Sequence, residues 1–157
     1  VIANGFLLRV LAGAAAIDVP ASPWLLICTV LLAVFLGFGK RAHELAWAAR
    51  SSSAQTTRAA LSGYNLPLLR WAMLVLAAIT VAAYVAYTLD ARTVAFFGTD
   101  RLVYSAPLVA VALVRFLFLA LWRPKQDSPT EAMFKDPLFM VILAGAVVTI
   151  LVIIYGR

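Results

Sequence analysis

Apolar runs able to cross a bilayer recur five times in this chain, and that recurrence constrains its fold more than any single motif. Within lipid, every backbone N–H and C=O must find a partner inside the protein, which an α-helix provides along its own length. The runs are Val1–Ile17, Trp24–Gly39, Leu68–Leu89, Leu102–Trp122 and Leu138–Tyr155. They predict an all-α, polytopic membrane bundle of five transmembrane helices, forming one domain over 1–157. Composition agrees, with 64% hydrophobic residues, only 13% charged residues and a mean hydropathy of +0.98. A soluble domain carries about one quarter charged residues.

The formal net charge of +6 does not point to nucleic acid, because the basic residues sit at the ends of apolar runs. Lys40, Arg41, Arg50, Arg58, Arg70, Arg123, Lys125 and Lys135 fall on one side of the bundle; Arg92, Arg101 and Arg157 fall on the other. This asymmetry makes the polar loops at about 40–67 and 123–137 cytosolic, in a multi-pass protein of the cell membrane. Cys28 is the only cysteine and lies in an apolar run, where it reads as a small packing residue. With His43 the only histidine, the two are too few for a zinc site. The chain has no secretory signal pattern. It begins at Val1, already inside an apolar helix, so an upstream portion is expected.

Polar residues at the membrane boundary carry the candidate chemistry. The stretch Gly39-Lys40-Arg41-Ala42-His43-Glu44-Leu45 follows an apolar run and opens the longest polar segment. Arginine and lysine neutralise phosphate oxygens, and a carboxylate can bind Mg2+. A basic anchor at a helix end is the plainer alternative. Lys40 and Glu44 stand four residues apart, share a helix face and can pair with each other. Arg58, Leu61 and Tyr64 also share one face, suiting either a lid on the membrane surface or an ordinary connector.

In the first run, Gly5, Arg9 and Gly13 share a face on which small residues let another helix approach. Arg9 is therefore expected to point into a helix interface or a cavity; a bond to a helix carbonyl or to a partner carboxylate is the structural alternative. Arg115 in the fourth run raises the same question, with snorkelling toward the nearer end as a further option. Asp127, Glu131, Lys135 and Asp136 occupy the second polar loop. No phosphate-binding glycine loop, nucleophile elbow or His-Glu-x-x-His pattern is present, and these acidic residues are too thinly spread to hold Mg2+ alone.

Taken together, Gly39-Lys40-Arg41-x-x-Glu44-Leu45, Arg58-x-x-Leu61-x-x-Tyr64 and Leu69-Arg70 resemble the second cytosolic loop of the UbiA superfamily of membrane prenyltransferases. Within it, the likeness is to the branch of decaprenyl-phosphate phosphoribosyltransferases. Leu8-Arg9 with Ala12-Gly13, Pro20 with Trp24, Pro129-Thr130-Glu131 and Asp136-Pro137 add to it, so that the resemblance covers nearly the whole chain.

The resemblance implies a nine-helix bundle around a lipid-accessible cavity, of which this chain would supply the last five helices. It implies Mg2+ held mainly by an Asn-Asp-x-x-Asp motif upstream of Val1, with none of the site residues here as metal ligands. The donor would be phosphoribosyl pyrophosphate and the acceptor a polyprenyl phosphate lipid, the product feeding synthesis of cell-wall arabinan. Lys40, Arg41 and Glu44 would occupy the second polar motif of the substrate site, the cations Lys40 and Arg41 making salt bridges to donor phosphates; Arg58 and Tyr64 would cap the donor, and Arg9 would face the cavity. His43 is left without a role. The fragment alone is expected to be inactive, and a homo-oligomer remains open to it. Two other readings stand beside this one: a UbiA-type prenyltransferase with another acceptor, and a non-catalytic membrane subunit.

Overall fold

The computed structural model describes residues 2–16, 18, 22–48, 65–122 and 129–156. Among these, the chain forms α1 (Ile2–Ala16), α2 (Pro23–Ala48), α3 (Leu66–Leu89), the short α4 (Ala91–Phe97), a 3₁₀ turn (Arg101–Ser105), α5 (Ala106–Trp122), the short α6 (Pro129–Lys135) and α7 (Pro137–Tyr155). No strand occurs among the described residues. The protein is an all-α, polytopic membrane bundle.

Four helical stretches are long and apolar enough to cross a bilayer: Pro23–Trp47, Pro67–Leu89, Arg101–Trp122 and Pro137–Tyr155. The expected first span is shorter. Its 15 described residues rise roughly 22 Å, below the ~30 Å of a hydrocarbon core. It ends at a turn where Asp18 takes a left-handed backbone, φ 53°, which Asp adopts more readily than most residues.

Proline marks the helix starts. Pro23, Pro129 and Pro137 open α2, α6 and α7, while Pro67 and Pro107 are the second residues of α3 and α5. A helix start has no use for the N–H that proline lacks. Pro107 follows directly on the 3₁₀ turn, so it opens its helix instead of kinking a span. Asp136 caps α7, its carboxylate accepting from the Phe139 amide at 2.9 Å. Between the third and fourth apolar runs, the stretch Asp90 to Arg101 contains α4, which Asp90 initiates by accepting from the Arg92 amide at 3.2 Å. Gly98 ends it at φ 66°, a conformation that costs glycine nothing.

The largest departure from the sequence reading lies in α2. Gly39 was expected to close the second span, yet the helix continues for nine residues to Ala48. Gly39 is a packing position. A Cβ there would lie 2.6 Å from Phe116 Cε1 and 3.3 Å from Met73 Cε, so only glycine seats α2 this closely on α5 and α3. Ala42 and Ala46, both buried, carry the same small-residue face onward. The core joins α2, α3, α5 and α7 through Phe35, Met73, Phe116, Leu117, Leu121 and Phe139. The Phe35 and Phe116 rings lie 5.3 Å apart in a tilted pair. Outward faces stay apolar and exposed, with Val75 and Ile79 on α3, Val114 on α5 and Val141, Val148 and Val152 on α7. That suits lipid.

Candidate functional site

Successive residues turn by about 100° around a helix, and this turn sorts the polar motif of α2 into two faces. Gly39, Ala42, His43 and Ala46 point inward and are buried. Lys40, Arg41 and Glu44 project from the opposite side, away from the core. Motif residues expected in a loop therefore stand on the last turns of a membrane helix, whose backbone fixes their directions.

Arg41 Nη1 donates to Glu44 Oε2 at 2.9 Å. The sequence had offered Lys40 as Glu44's partner, but the guanidinium one residue on takes it. Both side chains are open to solvent, so the pair contributes on the order of 0.3–0.5 kcal/mol; it orients Arg41 more than it stabilises the helix. Lys40 is exposed and makes no ion pair among the described residues. The result is one oriented and one unpaired cation on an uncovered face.

Arg9 takes the structural alternative of a bond to a helix carbonyl. It is exposed, and its Nη1 donates to the carbonyl of Gly5 in its own helix at 3.2 Å. Leu7, Val10 and Ala14 are partly buried on α1, whereas Arg9 and Gly13 are exposed and nothing lies within 4 Å of a Cβ built at Gly13. The Gly5–Arg9–Gly13 face meets no helix interface among the described residues, because α1 uses a different stripe for packing. Arg58 and Tyr64 lie outside the described residues.

Two arginines gained definition that sequence reasoning did not supply. Arg115 does not snorkel: its Nε and Nη2 donate to the two oxygens of Asp136 at 2.9 and 2.8 Å, and its guanidinium lies 5.3 Å from the Phe118 ring centroid. One carboxylate thus pairs a membrane-embedded cation and caps α7. Twenty-one residues separate the partners, so no local pattern reveals them. Arg70, just past the first turn of α3, places its guanidinium 5.8 Å from the Trp122 ring centroid at the end of α5. His43, to which the sequence assigned no role, is 4% exposed; its neighbours Ala42 and Ala46 gave the signal, as the inner stripe of a continuing helix.

Among the described residues, no group of three histidine, cysteine or acidic side chains could hold a metal ion. Glu44 and Asp136 are engaged by arginines, which leaves no carboxylate cluster of the kind Mg2+ requires. The donor set described does not fit the metal.

No protein-family model matches the chain, and no solved structure matches it. Over 166 aligned positions, the chain is 25% identical to the decaprenyl-phosphate phosphoribosyltransferase of Mycolicibacterium smegmatis. That alignment takes in 99% of this chain and 50% of the relative, so the chain spans about half the relative's length. The similarity supports a UbiA-like membrane family and, at the coarse level, a transferase.

Proposed function

We propose that this chain serves a UbiA-type transferase that moves a phosphoribosyl group from phosphoribosyl pyrophosphate to a polyprenyl phosphate lipid, a step in making cell-wall arabinan precursors. The observation that supports this most is the sidedness of α2. Its inner face is filled by packing, while Lys40, Arg41 and Glu44 line the opposite face at the basic end of the span. Cations fixed at a membrane boundary suit a reaction between a water-soluble diphosphate donor and a lipid phosphate.

In the proposed step, an acceptor phosphate oxygen attacks the anomeric carbon while the bond from that carbon to pyrophosphate breaks. Negative charge gathers on the departing pyrophosphate, where Lys40 and Arg41 would meet it with charge-assisted hydrogen bonds. Glu44 would hold Arg41 in place. Mg2+ would have to be held by residues outside those described, and no role for it is derived from this chain. Arg58 and Tyr64, as donor caps, and Arg9 remain part of the proposal. The basic residues would face the cytosol.

In the complete protein, Lys40→Ala and Arg41→Ala should each lower kcat/KM for phosphoribosyl transfer by about 10- to 100-fold, the range for one hydrogen bond to a charged group. Helical content and detergent-extracted yield should not change. Full retained activity in both variants would remove Lys40 and Arg41 from the reaction. The non-catalytic reading predicts no Mg2+-dependent binding of phosphoribosyl pyrophosphate by the complete protein in equilibrium dialysis.

A further inference from the structure

We infer that Arg70 and Trp122 form a headgroup site for an anionic phospholipid, on the outer seam of α3 and α5 and apart from the face that carries Lys40 and Arg41. The inference does not depend on the transferase reading.

Three observations converge on it. Arg70 Nε is buried and has no hydrogen-bond partner among the described residues, and the guanidinium makes no ion pair there. A buried donor left unpaired costs about 1–3 kcal/mol, so the side chain gains by shifting to meet an acceptor, and no described residue offers one. The helix itself does not hold a cation at this place, because the start of α3 is the positive end of its dipole and no acidic residue lies in its first turn.

The surroundings then say what kind of acceptor fits. Arg70 borders the buried stripe of Leu69, Met73 and Ala77, and its neighbours Trp71 and Leu68 are each 69% exposed. Trp122, whose ring the guanidinium approaches, is 50% exposed at the end of its span. Tryptophans exposed at span ends occupy the headgroup layer of a bilayer. There the ring supports one face of the guanidinium, and the partly buried side chain carries the planar fork that matches a phosphodiester.

Position along the bundle keeps this site separate from the α2 motif. Gly39 meets Met73 across the α2–α3 contact, so Arg70, about one turn nearer the basic end, is level with Ala42 and His43 on the inner face of α2. Lys40, Arg41 and Glu44 point the other way.

The test uses the complete protein in lipid nanodiscs, with Trp24, Trp47, Trp71 and every tryptophan outside this sequence replaced by phenylalanine, so that Trp122 alone reports. Brominated phosphatidylglycerol should quench Trp122 about fivefold more effectively per molecule than brominated phosphatidylcholine, the preference of one basic residue for an anionic lipid. Arg70→Gln should bring the ratio to about one. Competition on the protein with Arg70 intact avoids any folding defect of that variant: unlabelled phosphatidylglycerol should relieve the quenching, and unlabelled phosphatidylcholine should not. Equal relief by the two lipids, or a preference that survives Arg70→Gln in a folded protein, overturns the proposal. Relief by millimolar inorganic phosphate also overturns it, since the site would then take a soluble anion in place of a lipid.

Discussion

Asp136 carries more of this structure than its place in a polar loop suggests. It accepts two hydrogen bonds from Arg115 and one from the Phe139 amide, so its loss would leave a cation inside a span unpaired and a helix end uncapped. Removing one partner of a buried pair typically costs about 3–5 kcal/mol, and partial exposure of this one places the expected loss near the lower figure. Asp136→Asn keeps a capping oxygen, which isolates the ion pair. We expect that variant to lower the thermal denaturation midpoint in detergent. Adding Arg115→Met should recover most of the loss, and a double-mutant cycle measures the coupling. Additive losses would show that the bridge contributes nothing of its own. A partner carboxylate was one of the readings open to Arg115, beside a ligand role and a snorkel, but nothing in the sequence singled out Asp136. Which of these chemically sensible outcomes occurs depends on which helix lies alongside.

At the scale of elements, the spans were legible because lipid leaves a segment few options and because prolines mark their starts. The end of α2 was misread for a physical reason. Glycine both terminates helices and lets them pack closely, and Gly39 precedes a polar run, as a terminator would. Only the neighbouring rings show which use applies. Gly39→Ala should therefore destabilise the bundle by about 1–3 kcal/mol through overpacking against Phe116, despite alanine's higher helix propensity. A stabilised protein in a denaturant titration would mean that Phe116 moves aside without cost. The short helices α4 and α6 were missed because seven residues hold too few turns for a periodic signal.

For the whole molecule, the class of architecture could be read from composition and run length, while the candidate site could be read only as residue types. The sequence brought Lys40, Arg41, Glu44 and Arg9 together as one binding set. The structure shows Arg41 paired with Glu44 and Arg9 returned to its own helix, because side-chain direction follows from which stripe each helix buries. Orientation in the membrane rests on the basic-residue asymmetry and can be tested directly. In a Cys28→Ser background, Lys135→Cys should react with a membrane-impermeant maleimide only in inverted vesicles, and Arg92→Cys only in intact cells. The reverse pattern would place the basic end outside.

The division of α2 into two faces has a consequence for how such a protein can change over generations. Residues that hold the bundle together, Gly39, Ala42 and Ala46, and residues that face away from it, Lys40, Arg41 and Glu44, interleave along the same few turns. A lineage can therefore exchange the outer residues while the inner stripe keeps the fold. Divergence at 40, 41 and 44 alongside constancy at 39, 42 and 46 is the pattern this geometry permits.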